Sequence, residues 1–545
     1  MMLDYSRLRP WIWITVTILT LLFGLTLKPL LPIDETRYLA VAWEMWVRGD
    51  FLVPHLNGST YSHKPPLLFW IINFSWKIFG LNEWSPRVIA PIFGIGCIIL
   101  TTVIANRLYP KTQTYLIAPF LLIGTSYWAI FSTVTMFDLL VVFWTLLGIN
   151  ALIDSGKEKL NLGWGVFAVS IGLGILSKGP IILIYLLPAA FFAPYWLQIN
   201  NTKRIMKWYI GLMISTLAGV VIALAWAIPA SIAGGKEYSD AIFWGQSAGR
   251  IVNSFAHKQP FWWYAAIIPL LLFPWIVWPT ILKNLWHRIH QVYNYSQIPH
   301  SYRLIMIIVI SSILILSAFS GKQPHYLLPI FPMLSIGASA LLISLGSKDL
   351  FNHRFDIIPT ALIAFIIGFI ILASQNVETS NEYAEWIIKI NIYWGAPLVL
   401  FGLFLIIYPP KIIQNRILVT ALSNNLIIIL VLFAVRPILT HGYNIKPVAE
   451  FISNSQREGY TIAYYGKYHG QFHFLGRLKK PIVETGDGGI KSFLDKYPRS
   501  KIISVIKKPE TYNPTPNFIH KFRSSYFAIW DGSNILKNPT TPQRR

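Results

Sequence analysis

The sequence predicts a polytopic α-helical membrane protein that ends in a small extracytoplasmic α/β domain. Of its 545 residues, 54% are hydrophobic, and the mean hydropathy is +0.51. A soluble globular protein of this size has too few core positions for so many apolar side chains. Apolar runs of about 20 residues recur along the chain, and each is long enough to cross a hydrocarbon core of roughly 30 Å. Basic residues concentrate in alternate loops between these runs, as they do in membrane proteins of fixed orientation.

Thirteen apolar segments qualify as membrane spans. They cover approximately residues 11–31, 86–106, 114–132, 136–153, 162–177, 180–197, 208–230, 261–282, 303–320, 326–345, 356–374, 392–409 and 417–435. The first of them is too long for the core of a typical signal peptide, so we interpret it as a retained span.

The basic residues predict the orientation of these spans. If the N-terminus is cytoplasmic, every inside loop carries at least two basic residues, beginning with Arg7 and Arg9. Loops 32–85 and 231–260 then face the extracytoplasmic side, and so does the C-terminus, because thirteen is an odd number. This bias also accounts for the net charge of +23 without nucleic acid as a partner. The single cysteine, Cys97, cannot form an internal disulfide.

The chain divides by composition into two predicted domains. Residues 1–436 form the transmembrane domain, and residues 437–545 form an α/β domain large enough for its own core. The second domain contains β-like runs at Thr461–Tyr465 and Lys501–Ile506, with a helix-like segment near Gly489–Tyr497 between them. In the first outer loop, residues 64–79 are apolar and aromatic but begin with a Pro pair, which predicts a short interfacial helix.

The first outer loop is unusually rich in charge for a protein with only 13% charged residues. Carboxylates beside cations at a bilayer edge suit a site for a charged lipid headgroup. Asp34 and Glu35 follow the first span directly and are candidate catalytic residues, with Arg37 and Tyr38 beside them. The alternative interpretation is that Asp34 caps a helix that starts near Thr36.

Lys64 is a candidate phosphate ligand in the same loop. Pro65 and Pro66 stiffen the chain after it and hold its ammonium in one place near the membrane surface. The alternative is that the Lys64 side chain only extends its ammonium to the membrane–water interface.

Further polar residues fall at the same face of the membrane. Asp138, in TMFDLL, lies at the outer end of the fourth span and is the third candidate catalytic residue. The complete predicted set of donor- or phosphate-binding residues is Arg37, Tyr38, Lys64, Lys178, Arg250, Lys322 and Tyr326. His63 and His257 are candidate ligands of a divalent metal ion, although they lack metal-ligand spacing, and hydrogen-bonded loop histidines are the alternative.

These motifs together resemble a known family. DETRY, GDFLVPHLNG, the Lys-Pro-Pro element, TMFDLL, LSKGP, HKQPFWWY and KQPHYLLP follow the order seen in GT-C glycosyltransferases that use polyprenyl-phosphate sugars. Within this superfamily the chain resembles the protein O-mannosyltransferase-like group, and most closely the bacterial aminoarabinose transferases that modify lipid A. The motifs that carry the resemblance lie in residues 30–335. The later spans and the tail are similar only in their arrangement along the chain.

The resemblance implies an inverting transfer, outside the membrane, from a polyprenyl-phosphate sugar to a glycolipid or protein acceptor. By motif, Asp34 matches the first-loop catalytic aspartate, Asp138 the second acidic position, and Lys64 the lysine that contacts phosphate. Arg250 is a looser match for phosphate binding, and His257 matches a histidine of the aminoarabinose-transferase pattern. The family often has Glu before Lys-Pro-Pro where this chain has His63, a departure at the family's metal site. The residues themselves leave open whether the acceptor is a hydroxyl or a phosphate.

Three other functions are alternatives for a chain with many membrane spans. An oligosaccharide ligase or polymerase of GT-C type would have a similar layout. A transporter would carry charges in mid-span and paired broken helices, whereas here the charges lie at one face. A membrane scaffold would not need ordered acidic and basic motifs.

Overall fold

A computed structural model of the chain shows a helical membrane domain followed by a five-stranded α/β domain. The structure describes residues 10–156, 160–245, 258–291, 298–344, 354–376, 384–486, 488–507, 509, 512 and 514–537.

Helices make up most of the membrane domain. The first eleven are α1 (Pro10–Thr26), α2 (Asp34–Arg48), α3 (Leu67–Phe79), α4 (Ser85–Leu108), α5 (Thr114–Ile123), α6 (Ser126–Phe131), α7 (Asp138–Gly156), α8 (Leu160–Lys178), α9 (Ile182–Phe191), α10 (Ala193–Leu197) and α11 (Thr202–Asp240). A π-helical turn, Ala241–Gly245, continues α11. The later helices are Trp263–Leu271, Pro279–Gln291, His300–Ala318, Phe331–Ile343, Ile358–Ala373, Ala384–Ile387, Gly395–Ile407 and Ile413–Gly442.

Seven helical stretches of the described residues are long and apolar enough to cross a membrane. They are Ser85–Leu108, Asp138–Gly156, Thr202–Gly245, His300–Ala318, Pro324–Ile343, Ile358–Asn376 and Ile413–Arg457. Shorter apolar helices accompany them at Pro10–Thr26, Leu67–Phe79, Thr114–Ile123, Leu162–Lys178, Ile182–Phe191 and Ile392–Ile407. The polytopic helical class predicted from composition is therefore confirmed.

Some predicted spans are interrupted. The span predicted over 261–282 is not one continuous helix: the helix Trp263–Leu271 stops before Pro274, and a new helix starts at Pro279. Proline lacks the amide donor that an uninterrupted helix needs. The span predicted over 114–132 likewise divides, into α5 and α6.

The charged loop 32–85 folds as two helices packed on each other. Tyr38, Leu39 and Ala42 of α2 pack against Phe69 and Ile72 of α3 in one buried apolar cluster. The short hairpin of β1 (His55–Leu56) and β2 (Ser59–Thr60) connects the two helices. The helix expected after the Pro pair is confirmed as α3, and its interfacial location stays a prediction.

The C-terminal domain is a mixed sheet with helices on both faces. Its strands are β3 (Thr461–Tyr465), β4 (Val483–Thr485), β5 (Ser500–Ile506), β6 (Phe518–Phe522) and β7 (Ser525–Asp531), in the order β4-β3-β5-β7-β6. β3 is parallel to β4 and β5, and β7 is antiparallel to β5 and β6. Its helices are Lys446–Arg457, His473–Gly476, Ile490–Lys496 and Gly532–Lys537. The two strands and the helix expected from sequence are confirmed.

Candidate active site at the ends of the helices

Asp34 is the first residue of α2 and is open to solvent. Its side chain is 55% exposed and pairs with the guanidinium of Arg37, one helical turn later. The alternative that Asp34 caps a helix starting near Thr36 is wrong, because Ile33 precedes the helix and no side chain caps it. The Asp34 carboxylate can therefore reach a ligand without breaking a helix cap.

Glu35 is buried and fully engaged by the protein. Its Oε1 accepts a hydrogen bond from the Thr135 amide at 2.7 Å, and its Oε2 accepts one from the Leu31 amide at 2.8 Å. The Lys28 ammonium lies 3.6 Å from Oε2. Since Thr135 precedes Asp138 by three residues, Glu35 joins the two segments that carry the candidate aspartates. Its catalytic role stays a prediction, and these contacts favour a positioning role.

Asp138 is the first residue of α7 and lies among cations. Its side chain is 4% exposed; its Oδ1 is 2.5 Å from Nζ of Lys178 and 3.9 Å from Nε2 of His325. Its other oxygen, Oδ2, is buried and makes no hydrogen bond to any residue that the structure describes. A buried acceptor atom of this kind is costly unless a ligand supplies a donor.

Aromatic rings connect the two aspartates. The Tyr38 ring meets the Phe137 ring edge-on, with centroids 4.9 Å apart, and Phe137 is next to Asp138 in the chain. Nζ of Lys64 lies 5.9 Å from the Phe137 centroid and within electrostatic range of Asp138. On the far side of Asp138, Nζ of Lys178 lies 4.7 Å from the Tyr326 centroid. Seven predicted residues thus form one site, namely Asp34, Arg37, Tyr38, Lys64, Asp138, Lys178 and Tyr326.

The Tyr38 hydroxyl lies within electrostatic range of both Asp34 and Asp138. Burial, and then the neighbouring Asp34 carboxylate, raise the pKa of Tyr38 above its usual value. The hydroxyl therefore keeps its proton at neutral pH and can donate a hydrogen bond to a ligand oxygen.

Lys322 lies outside this arrangement of charges. It is 3% exposed, and its ammonium donates to the carbonyls of Gln259 at 2.9 Å and Phe319 at 2.6 Å. These bonds join Gln259, near the end of the loop 231–260, to the end of the helix His300–Ala318. A donor-binding role for Lys322 stays a prediction.

The predicted metal ligands do not form a metal centre within the described residues. The His63 ring stacks on Tyr61, with centroids 5.3 Å apart. No group of three or more His, Cys, Asp or Glu side chains that could hold a metal occurs in the described parts of the chain. His257, and the candidate phosphate ligand Arg250, fall in 246–257, outside the described residues.

Two contributions to the site were missed by the sequence reasoning. Phe137 forms the aromatic surface between the aspartates, and its position beside Asp138 in TMFDLL was the available signal. The C-terminal domain supplies His469, which lies within electrostatic range of Arg37 and Asp34. Burial, followed by Arg37 and Lys467, lowers the pKa of His469, so the ring is neutral at neutral pH. No local pattern indicates this contact, because it arises from the docking of two domains.

Known proteins resemble this chain in both sequence and structure. Residues 63–232 match the family described as dolichyl-phosphate-mannose-protein mannosyltransferase. The undecaprenyl phosphate-alpha-4-amino-4-deoxy-L-arabinose arabinosyl transferase of Pseudomonas paraeruginosa is 26% identical over 414 residues, which span 70% of this chain and 73% of that protein. A second transferase of the same description, from Proteus mirabilis, is 26% identical over 399 residues, 69% of this chain and 68% of that protein.

The fold extends the similarity to the whole chain. The crystal structure of ArnT from Cupriavidus metallidurans in the apo state superposes with a TM-score of 0.72 at 18% identity, covering 97% of this chain and 98% of that one. The same protein bound to undecaprenyl phosphate gives a TM-score of 0.71 at 17% identity, with the same coverage. Together these similarities show an integral-membrane glycosyltransferase whose sequence and fold resemble those of the bacterial aminoarabinose transferases.

Proposed function

We propose that this enzyme transfers a sugar from a polyprenyl-phosphate carrier to a lipid A-like glycolipid at the extracytoplasmic face. The observation that carries the proposal is the pair of aspartates, one exposed and one buried, on either side of the Tyr38–Phe137 aromatic contact with Lys64 beside it. The described relatives are named for undecaprenyl phosphate and an aminosugar, which supports the donor class.

On the donor side, the bond between the anomeric carbon and the phosphate oxygen breaks, and its electron pair leaves with the lipid phosphate. Lys64, whose Nζ lies 5.9 Å from the Phe137 centroid, would stabilise this developing charge, with Arg250 as a second predicted partner. The unsatisfied Oδ2 of Asp138 is suited to accept a hydrogen bond from the sugar, while Lys178 holds the carboxylate through Oδ1.

On the acceptor side, Asp34 is the exposed carboxylate. An acceptor hydroxyl would transfer its proton to Asp34 as its oxygen bonds to the anomeric carbon. An acceptor phosphate is already an anion and needs no base, so Asp34 would then orient it through Arg37 or through other donors nearby. In both cases attack on the face opposite the departing phosphate inverts the anomeric centre.

The function is tested by mass spectrometry of envelope lipids and glycoproteins from cells with and without the active chain. We expect a sugar-sized mass increment on a glycolipid that disappears in cells carrying only Asp34→Asn. An increment on a protein instead would redirect the acceptor assignment, and a change in glycan chain length would favour a ligase or polymerase of GT-C type.

Lys64→Ala should weaken donor binding and slow departure of the lipid phosphate. A hydrogen bond to a charged group contributes roughly 1.5–3 kcal/mol, so kcat/KM should fall about 10- to 150-fold. Lys64→Arg should restore part of the rate, since the charge returns but the donors point differently. Turnover of polyprenyl-phosphate sugar per folded molecule is the measurement. Equal rates for the three forms would mean that Lys64 only extends its charge to the membrane surface.

We further propose a cytoplasmic N-terminus and an extracytoplasmic C-terminus. The basic residues of alternate loops support this orientation. Contacts between the C-terminal domain and α2 support a common side for that domain and Asp34, for example the hydrogen bond from Trp43 Nε1 to the Leu478 carbonyl at 2.8 Å. A reporter fused after Arg545 should be active when it requires the extracytoplasmic compartment. Activity of a cytoplasm-only reporter at that position would contradict the topology.

A further inference from the structure

The C-terminal domain rests directly on the helix that begins with Asp34. Trp43 of α2 donates to the Leu478 carbonyl, and Asn57 exchanges two hydrogen bonds with the backbone of Ile482, at 2.7 and 2.8 Å. Gly470 lies against Ala40 of α2, where an added Cβ would come within 3.4 Å of the Ala40 Cβ. These contacts extend along α2 and its connecting hairpin, so the domain is part of the structure around the site.

One contact reaches the segment that leads into Asp34. Nη2 of Arg523 donates to the Pro32 carbonyl at 2.8 Å, two residues before Asp34. The backbone amide of Arg523 donates to the Gly442 carbonyl at 2.9 Å, at the end of the helix Ile413–Gly442. A single residue therefore links the C-terminal domain, the last long helix and the start of α2.

The backbone of Arg523 points to a role for its side chain. Arg523 occupies the two-residue turn between β6 and β7, where Phe522 pairs with Ser525, and it has a φ of 51°. Left-handed φ values in such turns favour Gly or Asn over residues with a larger side chain. A local turn preference alone does not explain an arginine at this position. Its guanidinium bonds to Pro32 and also lies 5.5 Å from the Tyr443 ring centroid and 5.1 Å from that of Phe522.

We infer that the C-terminal domain sets the position of Asp34 through Arg523, which acts as a positioning residue for the transfer reaction. The inference rests on the proposed function, since it assigns Asp34 the acceptor-side role. The guanidinium fixes the backbone immediately before α2, and Glu35 fixes the first turn of α2 against the segment that precedes Asp138. The Asp34 side chain, which is exposed, owes its position to these backbone anchors.

The test compares Arg523→Gly with Arg523→Lys and with the control Lys446→Met in the full-length protein. Lys446 also joins the C-terminal domain to the membrane domain, through a 2.8 Å ion pair with Glu83, but it does not contact the segment before Asp34. Arg523→Gly relieves the positive φ, so the melting temperature should be unchanged or raised. We expect kcat to fall about 5- to 50-fold, with the donor KM within about twofold of wild type, because a displaced Asp34 affects the reacting geometry.

Arg523→Lys should recover part of the loss in kcat, and Lys446→Met should keep wild-type kcat. Hydrogen exchange of the amides in 27–37 should rise in Arg523→Gly and not in Lys446→Met. Wild-type kcat in Arg523→Gly, or an equal loss in Lys446→Met, would overturn the inference. If exchange responds as expected but the wild-type protein does not turn over a polyprenyl-phosphate sugar, the proposed function fails and the positional contact stands.

Discussion

Asp34→Asn should remove transfer activity and leave the protein folded. The carboxylate is the exposed acid of the site, and a general base or an orienting group of this kind contributes about 10²- to 10⁴-fold to a rate. The substitution removes one partly exposed ion pair with Arg37, and such a pair contributes about 1 kcal/mol or less. Activity and stability should therefore separate clearly in this variant.

The measurement is turnover of polyprenyl-phosphate sugar by purified Asp34→Asn, with melting temperature measured on the same preparation. Glu83→Gln is the matched control, because Glu83 is a half-exposed carboxylate in the same loop, 32–85, and pairs with Lys446 rather than with a residue of the site. Near-normal turnover in Asp34→Asn would contradict the acceptor-side role of Asp34. A comparable loss in Glu83→Gln would mean that the loop responds to any loss of charge.

Much of the fold follows from patterns that are local in the sequence. Apolar run length predicts membrane helices because the bilayer sets a minimum length, and this is how α4 and α7 were recognised. Short β-like runs predicted β3 and β5 in the C-terminal domain, where nearly every residue of both strands is buried. The break at 261–282 was missed because total hydropathy is insensitive to the prolines that end a helix.

The site was predictable to the extent that its residues stand out chemically. Asp34, Lys64 and Asp138 are charges at the ends of apolar segments, and the structure brings them to one face. The role of each charged residue within the site depends on its tertiary contacts. Glu35 is adjacent to Asp34 in sequence, yet its oxygens bond to amides at positions 31 and 135. The hydrogen bond from Arg523 to Pro32 joins residues 491 positions apart, and no local pattern encodes it.

Asp138→Asn should impair both activity and stability, because this acid is buried. The Lys178 and Asp138 side chains are 8% and 4% exposed, and His325 also faces Oδ1. Removing one partner of a buried ion pair leaves an uncompensated charge and typically costs about 3–5 kcal/mol. We expect a lower yield of folded protein and a lower melting temperature in Asp138→Asn, in contrast to Asp34→Asn.

The double variant Asp138→Asn with Lys178→Met separates the two effects. Methionine fills much of the lysine volume without a charge, so the double variant should regain most of the lost stability, as replacement of a whole buried pair often does. Activity should not return with it, since the sugar would still lack the Oδ2 acceptor that no described residue occupies. Melting temperature and turnover per folded molecule, measured on the wild type, the single variant and the double variant, test both statements. Recovery of turnover together with stability would show that Asp138 serves only to neutralise Lys178, and the donor side of the mechanism would then have to rely on Lys64 and other groups.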